Sequence, residues 1–396
     1  MSERKYVVVL GDGMADEPVA ELDGKTPPAL DRLSKVSEIG MVHTIPEGMK
    51  PGSDTANLSV LGYDPRRFYS GRSPLEALSI GVPMKDTDVA LRCNIVTISE
   101  DAASFEEQTI IDHSSGEIST EECAVLLEAV RKELENETYQ FYVGTSYRHC
   151  LIWNQGKVLE LSQPHDVLGQ VIGQYLPEDP ALLYMMKKSY EILVNHPINK
   201  ERKKKGLNPA NCCWFWGAGT KPVLSSFEEK TGLKGMMVSA VDLLKGIAAG
   251  AGMGAAQVKG ANGGLHTNYE GKVQAAIDAL QNGYDFVYIH VEAPDEMGHQ
   301  GSVEKKVQAI TYLDHRVIGP LTKLLDKDRV SYRLLVMPDH PTPIRVRTHT
   351  SDSVPYLLYD SEFPKEESWN YNEKEAMESG NFVPLGHTII DRLLGK

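Results

Sequence analysis

Acidic and histidine side chains stand at ligand-like spacings in two segments of this 396-residue sequence. Asp295 and His299 are four residues apart in EAPDEMGHQG, so on a helix they would share one face and could grip one metal ion. Asp339 and His340 are adjacent in MPDHPTP, a spacing that points two side chains in different directions and could serve two ions. Singly, each of these residues could be a helix cap or a turn residue. The joint set in polar loops favours a metal centre, with these members: Asp12, Asp295, His299, Asp339, His340 and His349.

A serine in the segment 51–65, PGSDTANLSVLGYDP, is a candidate nucleophile. Ser53 follows Pro51 and Gly52, which make a turn, and a helical pattern begins after it, so its hydroxyl would lie near the positive end of a helix. Two divalent ions about 4 Å apart hold a phosphoryl group and lower the pKa of a coordinated hydroxyl. Oxygen and imidazole ligands suit manganese, magnesium or zinc, among which the sequence does not choose. The alternative for Ser53 is an ordinary helix cap.

Three predicted strands would bring the candidate ligands together. Residues 5–10, 285–291 and 332–337 are apolar runs, and each is followed at once by glycine, proline or acidic residues. In open α/β sheets, sites form beyond the carboxyl ends of the strands, where loops far apart in sequence meet. The amphipathic pattern over 303–325 predicts a helix that packs on this sheet. We therefore expect an α/β fold with a mostly parallel sheet sandwiched by helices.

The length of the chain indicates two domains, because 396 residues with an apolar content of 41% exceed one ordinary core. Residues 86–212 contain their own predicted strands and helices, enough for a separate, smaller α/β domain. We expect this segment to be an insertion that binds substrate. Residues 1–85 and 213–396 would then form one discontinuous domain that carries the metal ligands.

The composition excludes several classes of protein. The 41 basic and 55 acidic residues give a formal net charge of −14, which repels nucleic acid and anionic lipid headgroups. The five cysteines are odd in number and form no Cys-x-x-Cys pair, which argues against a disulfide framework or a zinc ribbon. The apolar run at 6–10 is too short for a signal peptide, and no segment is a candidate membrane span. We expect a cytoplasmic protein with no nucleic-acid or membrane partner, for which a homo-oligomer stays open.

Several long motifs resemble one family. The chain is similar to the cofactor-independent phosphoglycerate mutases of archaeal type, within the alkaline phosphatase superfamily, in GDGMAD at 11–16, PGSDTANLSVLGYDP at 51–65, YSGRSPLEALSIGV at 69–82, HVEAPDEMGHQG at 290–301 and PDHPTP at 338–343. Shorter matches such as YRHC, NHPIN and TNYEGK extend the similarity over nearly the whole chain. The resemblance implies an alkaline-phosphatase-like sheet with an inserted smaller domain. It also implies interconversion of 2-phosphoglycerate and 3-phosphoglycerate.

The resemblance further implies a two-metal site. One metal ion would be held by Asp12, Ser53, Asp339 and His340, and the other by Asp295, His299 and His349. Ser53 would accept the phosphate of the substrate, the bound glycerate would reorient, and the phosphate would return to its other hydroxyl. No free bisphosphoglycerate is required in this cycle.

Substrate binding calls for guanidinium groups, because glycerate must be held by its carboxylate while its phosphate is on the enzyme. Arg92 in ALRCN and Arg148 in SYRHC resemble arginine-bearing motifs of the family and are the candidates. As isolated arginines, each could also form an ordinary surface ion pair. His113 in DHSSGEIS is a third candidate. The family often has histidine where Glu117 stands, which leaves the acid–base residue open.

A departure from the mutase pattern concerns specificity. The segment 208–219, NPANCCWFWGAG, places Trp214 and Trp216 where the mutase branch usually has Leu-Arg-Gly. Its Trp-x-Trp-Gly form resembles a bacterial branch proposed to act as a homoserine kinase. The two indoles could equally be core residues, as large aromatic side chains usually are. Phosphotransfer to homoserine and metal-dependent phosphoester hydrolysis therefore stay as alternatives, although the chain has no nucleotide-binding glycine loop.

Overall fold

The computed structural model describes residues 4–18 and 28–396, which divide into two compact units. The described residues up to Tyr69 form the first unit together with Val223–Lys396, and Ser70–Pro222 form the second. The second unit is thus an insertion in the sequence of the first.

Strands and helices follow one another along both units. The strands of the described residues are β1 (Arg4–Gly11), β2 (Glu38–Val42), β3 (Val89–Ile98), β4 (Ile110–Asp112), β5 (Tyr139–Thr145), β6 (Arg148–Trp153), β7 (Cys212–Thr220), β8 (Gly235–Val238), β9 (Gly254–Ala255), β10 (Phe286–Val291), β11 (Ser331–Met337), β12 (Val354–Asp360) and β13 (Phe382–Val383). The helices are α1 (Pro28–Ser34), α2 (Ser53–Val60), α3 (Pro65–Phe68), α4 (Arg72–Ser79), α5 (Thr120–Leu134), α6 (Pro180–Leu193), α7 (Pro197–Lys204), α8 (Phe227–Thr231), α9 (Asp242–Gly250), α10 (Tyr269–Gln281), α11 (Ala293–His299), α12 (Val303–Leu313), α13 (Gly319–Lys327), α14 (Glu373–Glu378) and α15 (Ile389–Leu394).

The first unit is built on a mostly parallel sheet of eight strands, in the order β13-β2-β12-β11-β1-β10-β8-β9 for the part of the chain that the structure describes. β1 pairs in parallel with β10 and β11, and β10 pairs in parallel with β8. β12 is antiparallel to both of its neighbours, β11 and β2. Val7, Val8, Val9 and Leu10 of β1 are all fully buried, so both faces of the central strand are covered. The predicted α/β fold with a mostly parallel sheet is confirmed.

The three strands that were predicted to end in candidate ligands are β1, β10 and β11, which lie side by side in this sheet. The helix predicted over 303–325 is α12 and α13, which one π-helical turn, Asp314–Ile318, joins. The carboxylate of Asp314 accepts hydrogen bonds from the backbone N–H groups of Ala29 and Leu30, so this turn is tied to the start of α1.

The second unit is built on an antiparallel sheet, with strand order β4-β3-β6-β5 and β7 on the other side of β3. All ten residues of β3 are buried. One face of this sheet packs in a core to which α5 and α6 contribute residues such as Leu126, Leu127 and Met186. A smaller core that includes Ala90 and Ile152 forms separately.

The predicted domain boundaries at residues 86 and 212 both fall inside the second unit, which runs from Ser70 to Pro222. β7 pairs with β3 from Val96↔Cys212 to Val89↔Thr220, so the chain beyond residue 212 still belongs to this sheet. At the other end, α4 contacts both β3 and β7, which adds the residues before 86 to the unit.

The cysteines behave as small core side chains. All five lie in the second unit, are buried and form no disulfide. Burial raises the pKa of the Cys123 thiol, which disfavours the reactive thiolate. Within residues 4–18 and 28–396, no helix is both long and apolar enough to cross a bilayer.

Candidate active site

The register of the central strands determines where the candidate ligands lie. Leu10 of β1 pairs with His290 of β10 on one side and with Met337 of β11 on the other. The three strands are parallel, so their carboxyl ends meet at one edge of the sheet. Asp12 follows β1 and Asp339 follows β11 at that edge, and α11 begins directly after β10.

A first group of ligand atoms consists of Asp12, Asp339 and His340, which lie within 4.8 Å of one another. His340 Nε2 is 3.5 Å from Asp12 Oδ1 and 3.5 Å from Asp339 Oδ2, and all three side chains are buried. Ser53 Oγ lies 3.2 Å from His340 Nε2 and 3.3 Å from Asp12 Oδ2. The structure thus brings together the four residues that the family resemblance assigned to one ion.

A second group of ligand atoms surrounds Asp295. Its Oδ2 is 3.2 Å from His299 Nε2, and its Oδ1 is 3.3 Å from His349 Nε2. The Nε2 atoms of His299 and His349 are 3.1 Å apart. His340 joins this group as well, since one of its ring nitrogens is within 4.8 Å of Asp295 and His349 atoms. His340 therefore lies between the two groups, whereas the family resemblance placed it with the first alone.

Ser53 occupies the first position of α2, and its side chain does not cap the helix. The capping position is Gly52, and no side chain makes a capping hydrogen bond there. The Ser53 hydroxyl instead lies among the Asp12 and His340 side chains. This geometry contradicts the alternative of an ordinary helix cap, because the hydroxyl is directed at candidate ligands rather than at the backbone.

The electrostatics of the site fit a bound cation. Burial raises the pKa of Asp12, and the nearby carboxylates of Asp339 and Asp295 raise it further. Burial lowers the pKa of His340, which favours the neutral imidazole that binds metals. A hydrogen bond to Asp295 raises the pKa of His299 to about 9. Crowded carboxylates and an unprotonated imidazole are the donors that a divalent ion requires, and its binding would release protons from this cluster.

Sequence reasoning missed His290, although it lies within a matched motif. Its Nε2 is 2.8 Å from Asp12 Oδ2, and its Nδ1 is 3.2 Å from Ser239 Oγ. The imidazole is completely buried in β10. A histidine in the middle of the apolar run YIHV needs a buried partner, and that requirement could have identified it.

Asn57 was also missed, and it connects the candidate nucleophile to a candidate ligand. Its Nδ2 donates to the backbone oxygen of Ser53 (2.8 Å) and to Asp339 Oδ2 (2.9 Å). The hydroxyl of Tyr288 donates to Asn57 Oδ1 at 2.6 Å. Asn57 is one turn after Ser53 in α2, a spacing that places both on one face of the helix.

A third missed residue is Lys306 of α12, whose side chain is fully buried. Its Nζ donates to Asp16 Oδ2 (2.8 Å), to the backbone oxygen of Thr342 (2.8 Å) and to that of Ala15 (3.2 Å). The Thr342 hydroxyl in turn donates to Asp295. Lys306 therefore ties the loop after β1 to the loop after β11, next to a candidate ligand.

The second unit brings its three candidate residues into one group, which we call the basic cluster: Arg92, Arg148 and His113 with Tyr147, His165 and Trp216. The guanidinium carbon of Arg92 lies 4.4 Å from the centre of the Trp216 ring. The His165 ring is 5.5 Å from Trp216 and 6.1 Å from His113.

The opposite side of the basic cluster is formed around Tyr147, which connects Arg148 to His113. The guanidinium carbon of Arg148 is 5.3 Å from the Tyr147 ring, and the His113 ring is 5.8 Å from it. Arg148 is exposed, whereas His113 Nδ1 is buried and has no hydrogen-bond partner. The connecting residues Tyr147 and His165 were missed, because contacts between separate strands and loops leave no local pattern.

The comparisons with known proteins agree on one family. The model of the 2,3-bisphosphoglycerate-independent phosphoglycerate mutases matches residues 34–199. A protein of Geobacter sulfurreducens described as a probable mutase of this type is 45% identical over 99% of this chain and 100% of its own length. A Methanosarcina barkeri protein described as such a mutase is also 45% identical, over 99% of this chain and 98% of its own.

Two solved structures are similar over nearly the whole chain. The PH0037 protein from Pyrococcus horikoshii is 29% identical with a TM-score of 0.80, and the match covers 99% of this chain and 97% of that one. A cofactor-independent phosphoglycerate mutase from Thermoplasma acidophilum is 25% identical with a TM-score of 0.65, and 99% of each chain is covered.

Proposed function

This chain belongs to the 2,3-bisphosphoglycerate-independent phosphoglycerate mutases, and on that premise we propose that it interconverts 2-phosphoglycerate and 3-phosphoglycerate through a phosphoserine at Ser53. It is accordingly an enzyme of the isomerase class. The alternatives of homoserine phosphotransfer and phosphoester hydrolysis are not favoured, because full-length relatives at 42–45% identity are described as mutases.

The observation that carries this proposal is the position of the Ser53 hydroxyl. Its oxygen lies 3.2 Å from His340 Nε2 and 3.3–3.4 Å from the two carboxylate oxygens of Asp12. An isolated serine hydroxyl is a weak nucleophile at neutral pH. A hydroxyl next to two candidate metal ligands can become a nucleophile, because a metal ion held by those ligands would also coordinate it.

We assign two divalent ions to the two groups of ligands, with manganese, magnesium and zinc as the candidates. Asp12, Ser53, Asp339 and His340 would hold one ion, and Asp295, His299 and His349 the other. Bound there, the ions would offset the charge of the phosphoryl group and favour the ionised form of the serine hydroxyl.

The reaction consists of two phosphoryl transfers. Ser53 Oγ loses its proton and attacks the phosphorus of the substrate, the bond from phosphorus to the substrate oxygen breaks, and that oxygen takes up one proton to become a hydroxyl of glycerate. The other hydroxyl of glycerate then loses its proton and attacks the same phosphorus, the bond to Ser53 breaks, and Ser53 Oγ takes up a proton again. Glycerate must not leave between the two steps, and Arg92, Arg148 and His113 are the residues that we assign to binding its anionic groups.

The cellular role follows from the reaction. Interconversion of the two phosphoglycerates is a step of glycolysis and of gluconeogenesis, and on that ground we propose a cytoplasmic enzyme. The formal charge of −14 supports a small-molecule substrate rather than nucleic acid or an anionic membrane surface.

A substrate panel tests this function directly. The purified protein is incubated with 3-phosphoglycerate, with homoserine plus ATP, and with a generic phosphate ester, each with manganese, magnesium, zinc or cobalt, and the products are identified by phosphorus NMR. We expect 2-phosphoglycerate from the first substrate without added bisphosphoglycerate. ATP-dependent phosphorylation of homoserine, with no conversion of 3-phosphoglycerate under any of the metals, would overturn the assignment.

A further inference from the structure

Arg92 is enclosed by the second unit and yet has unused hydrogen-bonding capacity. Only 8% of the residue is exposed. Its Nε lies 2.9 Å from Glu76 Oε2 in an ion pair, but this buried N–H makes no hydrogen bond. Leaving a buried donor unpaired is unfavourable, so such a group indicates an acceptor that arrives from outside the chain.

The ion-pair partner of Arg92, Glu76, is shared with a second arginine. Arg72 Nε donates to Glu76 Oε1 at 2.8 Å, and the charges of Arg92, Arg72 and Arg148 together lower the pKa of Glu76 although its burial raises it. The Glu76 carboxylate therefore does not serve Arg92 alone. Burial lowers the pKa of Arg92 to about 10, and the charges of Arg72 and Arg148 act in the same direction. An incoming anionic group would give the buried Arg92 guanidinium a second acidic partner.

The guanidinium of Arg92 packs on the indole ring of Trp216. The two residues are cross-strand partners in β3 and β7, and the guanidinium carbon lies 4.4 Å from the centre of the indole ring. The indole Nε1 donates to Asn94 Oδ1 at 3.2 Å, which fixes the plane of the ring relative to β3. His165 contacts the same ring edge-on at 5.5 Å.

Trp214, two residues earlier in β7, has a different environment. It is 1% exposed, and its Nε1 donates to the backbone oxygen of Ser162 at 2.8 Å. No cation lies over its ring among the contacts of the described residues. Trp214 is thus a core residue only. The indole of Trp216 is buried as well, but it also contacts the charged guanidinium of Arg92.

We infer that Trp216 is a positioning residue that holds the Arg92 guanidinium as the anchor for an anionic oxygen group of the substrate, either carboxylate or phosphoryl. The inference rests on the proposed function and deepens it, since it assigns a role to a residue at which the sequence departs from the mutase pattern. A planar guanidinium recognises a planar anion through two parallel hydrogen bonds, and that geometry is lost if the guanidinium can rotate.

The test compares Trp216→Leu and Trp216→Phe with the control Trp214→Phe in the full-length protein loaded with manganese. Trp216→Leu removes the ring, whereas Trp216→Phe keeps a smaller ring and loses the hydrogen bond to Asn94. The steady-state KM and kcat are measured with 3-phosphoglycerate, and the binding of glycerate and of inorganic phosphate is measured by titration calorimetry. Thermal unfolding of each variant shows whether it folds.

We expect Trp216→Leu to raise KM on the order of thirty-fold with a smaller change in kcat, which is the size of a desolvated cation–π contact. Trp216→Phe should lie between the wild type and Trp216→Leu, and Trp214→Phe should keep the wild-type KM. Selective weakening of glycerate binding would identify a carboxylate partner for Arg92, and selective weakening of phosphate binding a phosphoryl partner.

The inference is wrong if Trp216→Phe keeps the wild-type KM and both wild-type binding constants, or if Trp214→Phe changes them equally. Trp216→Phe preserves most of the packing, so it decides the question even if Trp216→Leu does not fold. If the wild type fails to convert 3-phosphoglycerate, the proposed function fails, and the calorimetric comparison of glycerate and phosphate binding still tests the role of Trp216 separately.

Discussion

His290 Nε2 lies 2.8 Å from Asp12 Oδ2, and both side chains are buried. Ser239 Oγ accepts a hydrogen bond from the backbone N–H of Val241, so its own proton is available to His290 Nδ1. Burial lowers the pKa of His290 to about 3, which keeps the ring neutral. A metal ligand at Asp12 is the ionised carboxylate, which can only accept, so the proton of the neutral ring then resides on Nε2 and is donated to Asp12. This arrangement fixes the orientation of a candidate metal ligand.

His290→Ala should therefore weaken metal binding roughly 10- to 100-fold, the usual effect of removing a partner that orients a ligand. Competition titration with a chelating indicator measures this directly for manganese and zinc. His315→Ala is the control, because the side chain of His315 is 52% exposed and is not among the candidate metal ligands. Equal metal affinities of the His290 and His315 variants would contradict the role of His290.

Ser53→Ala should lower turnover by at least about 10³-fold while leaving metal binding largely intact. Three protein ligands would remain at one group and three at the other, but the nucleophile would be gone. Labelling with substrate that carries radioactive phosphate should give a phosphoprotein with the wild type under denaturing quench and none with the variant. Undiminished mutase activity of the variant would remove Ser53 from the mechanism.

Removal of metal should both silence the enzyme and destabilise it. Without cations, the buried carboxylates of Asp12, Asp339 and Asp295 repel one another. An ion at 100 times its dissociation constant stabilises the folded protein by about 2.7 kcal/mol, which corresponds to a rise in Tm of about 3 °C for a chain of this length. Differential scanning calorimetry of demetallated protein, before and after metal is returned, measures the shift. Full activity of thoroughly demetallated protein would refute the metal site.

Lys306→Met should destabilise the protein by about 3 kcal/mol, because it leaves the Asp16 carboxylate without its buried partner. It should also weaken metal binding, since Thr342 and Asp295 lose their support. Lys305→Met is a matched control, because Lys305 is exposed and its Nζ contacts only the side chain of Gln300 among the bonds of the described residues. Urea denaturation measures the stability of both variants, and metal titration measures their metal affinity. Similar losses of stability and of metal affinity in the two variants would contradict the role of Lys306.

Arg148→Ala should increase the fraction of turnovers that end in inorganic phosphate and glycerate. The reason is that more weakly bound glycerate dissociates from the phosphoenzyme before the second transfer. Arg148 is exposed, so its removal should leave the fold intact. The ratio of inorganic phosphate to 2-phosphoglycerate is the quantity to measure. Arg131→Ala, which removes an arginine paired with Glu128 and Glu135, is the control. An unchanged ratio would show that Arg148 does not retain glycerate on the phosphoenzyme.

The sequence alone determined the elements that precede the candidate ligands. Uninterrupted apolar runs predicted β1, β10 and β11, because a buried parallel strand must be apolar on both faces. The four-residue spacing of Asp295 and His299 predicted one shared helical face, and both side chains meet on α11. Polar residues directly after these strands predicted a common site, since parallel strands in one sheet end at the same edge.

The tertiary structure decided which side chains assist the ligands and where the second unit begins. His290, Asn57 and Lys306 contact residues more than 200 positions away in at least one bond each, and such contacts depend on strand register and helix placement. The boundary at Ser70 depends on the packing of α4 against β3 and β7. Trp214 and Trp216 have the same residue type and similar burial, and only the side chains placed beside them across the sheet distinguish their environments. Periodicity reports which face of an element is buried, whereas the identity of the neighbour on that face is determined by how distant elements pack.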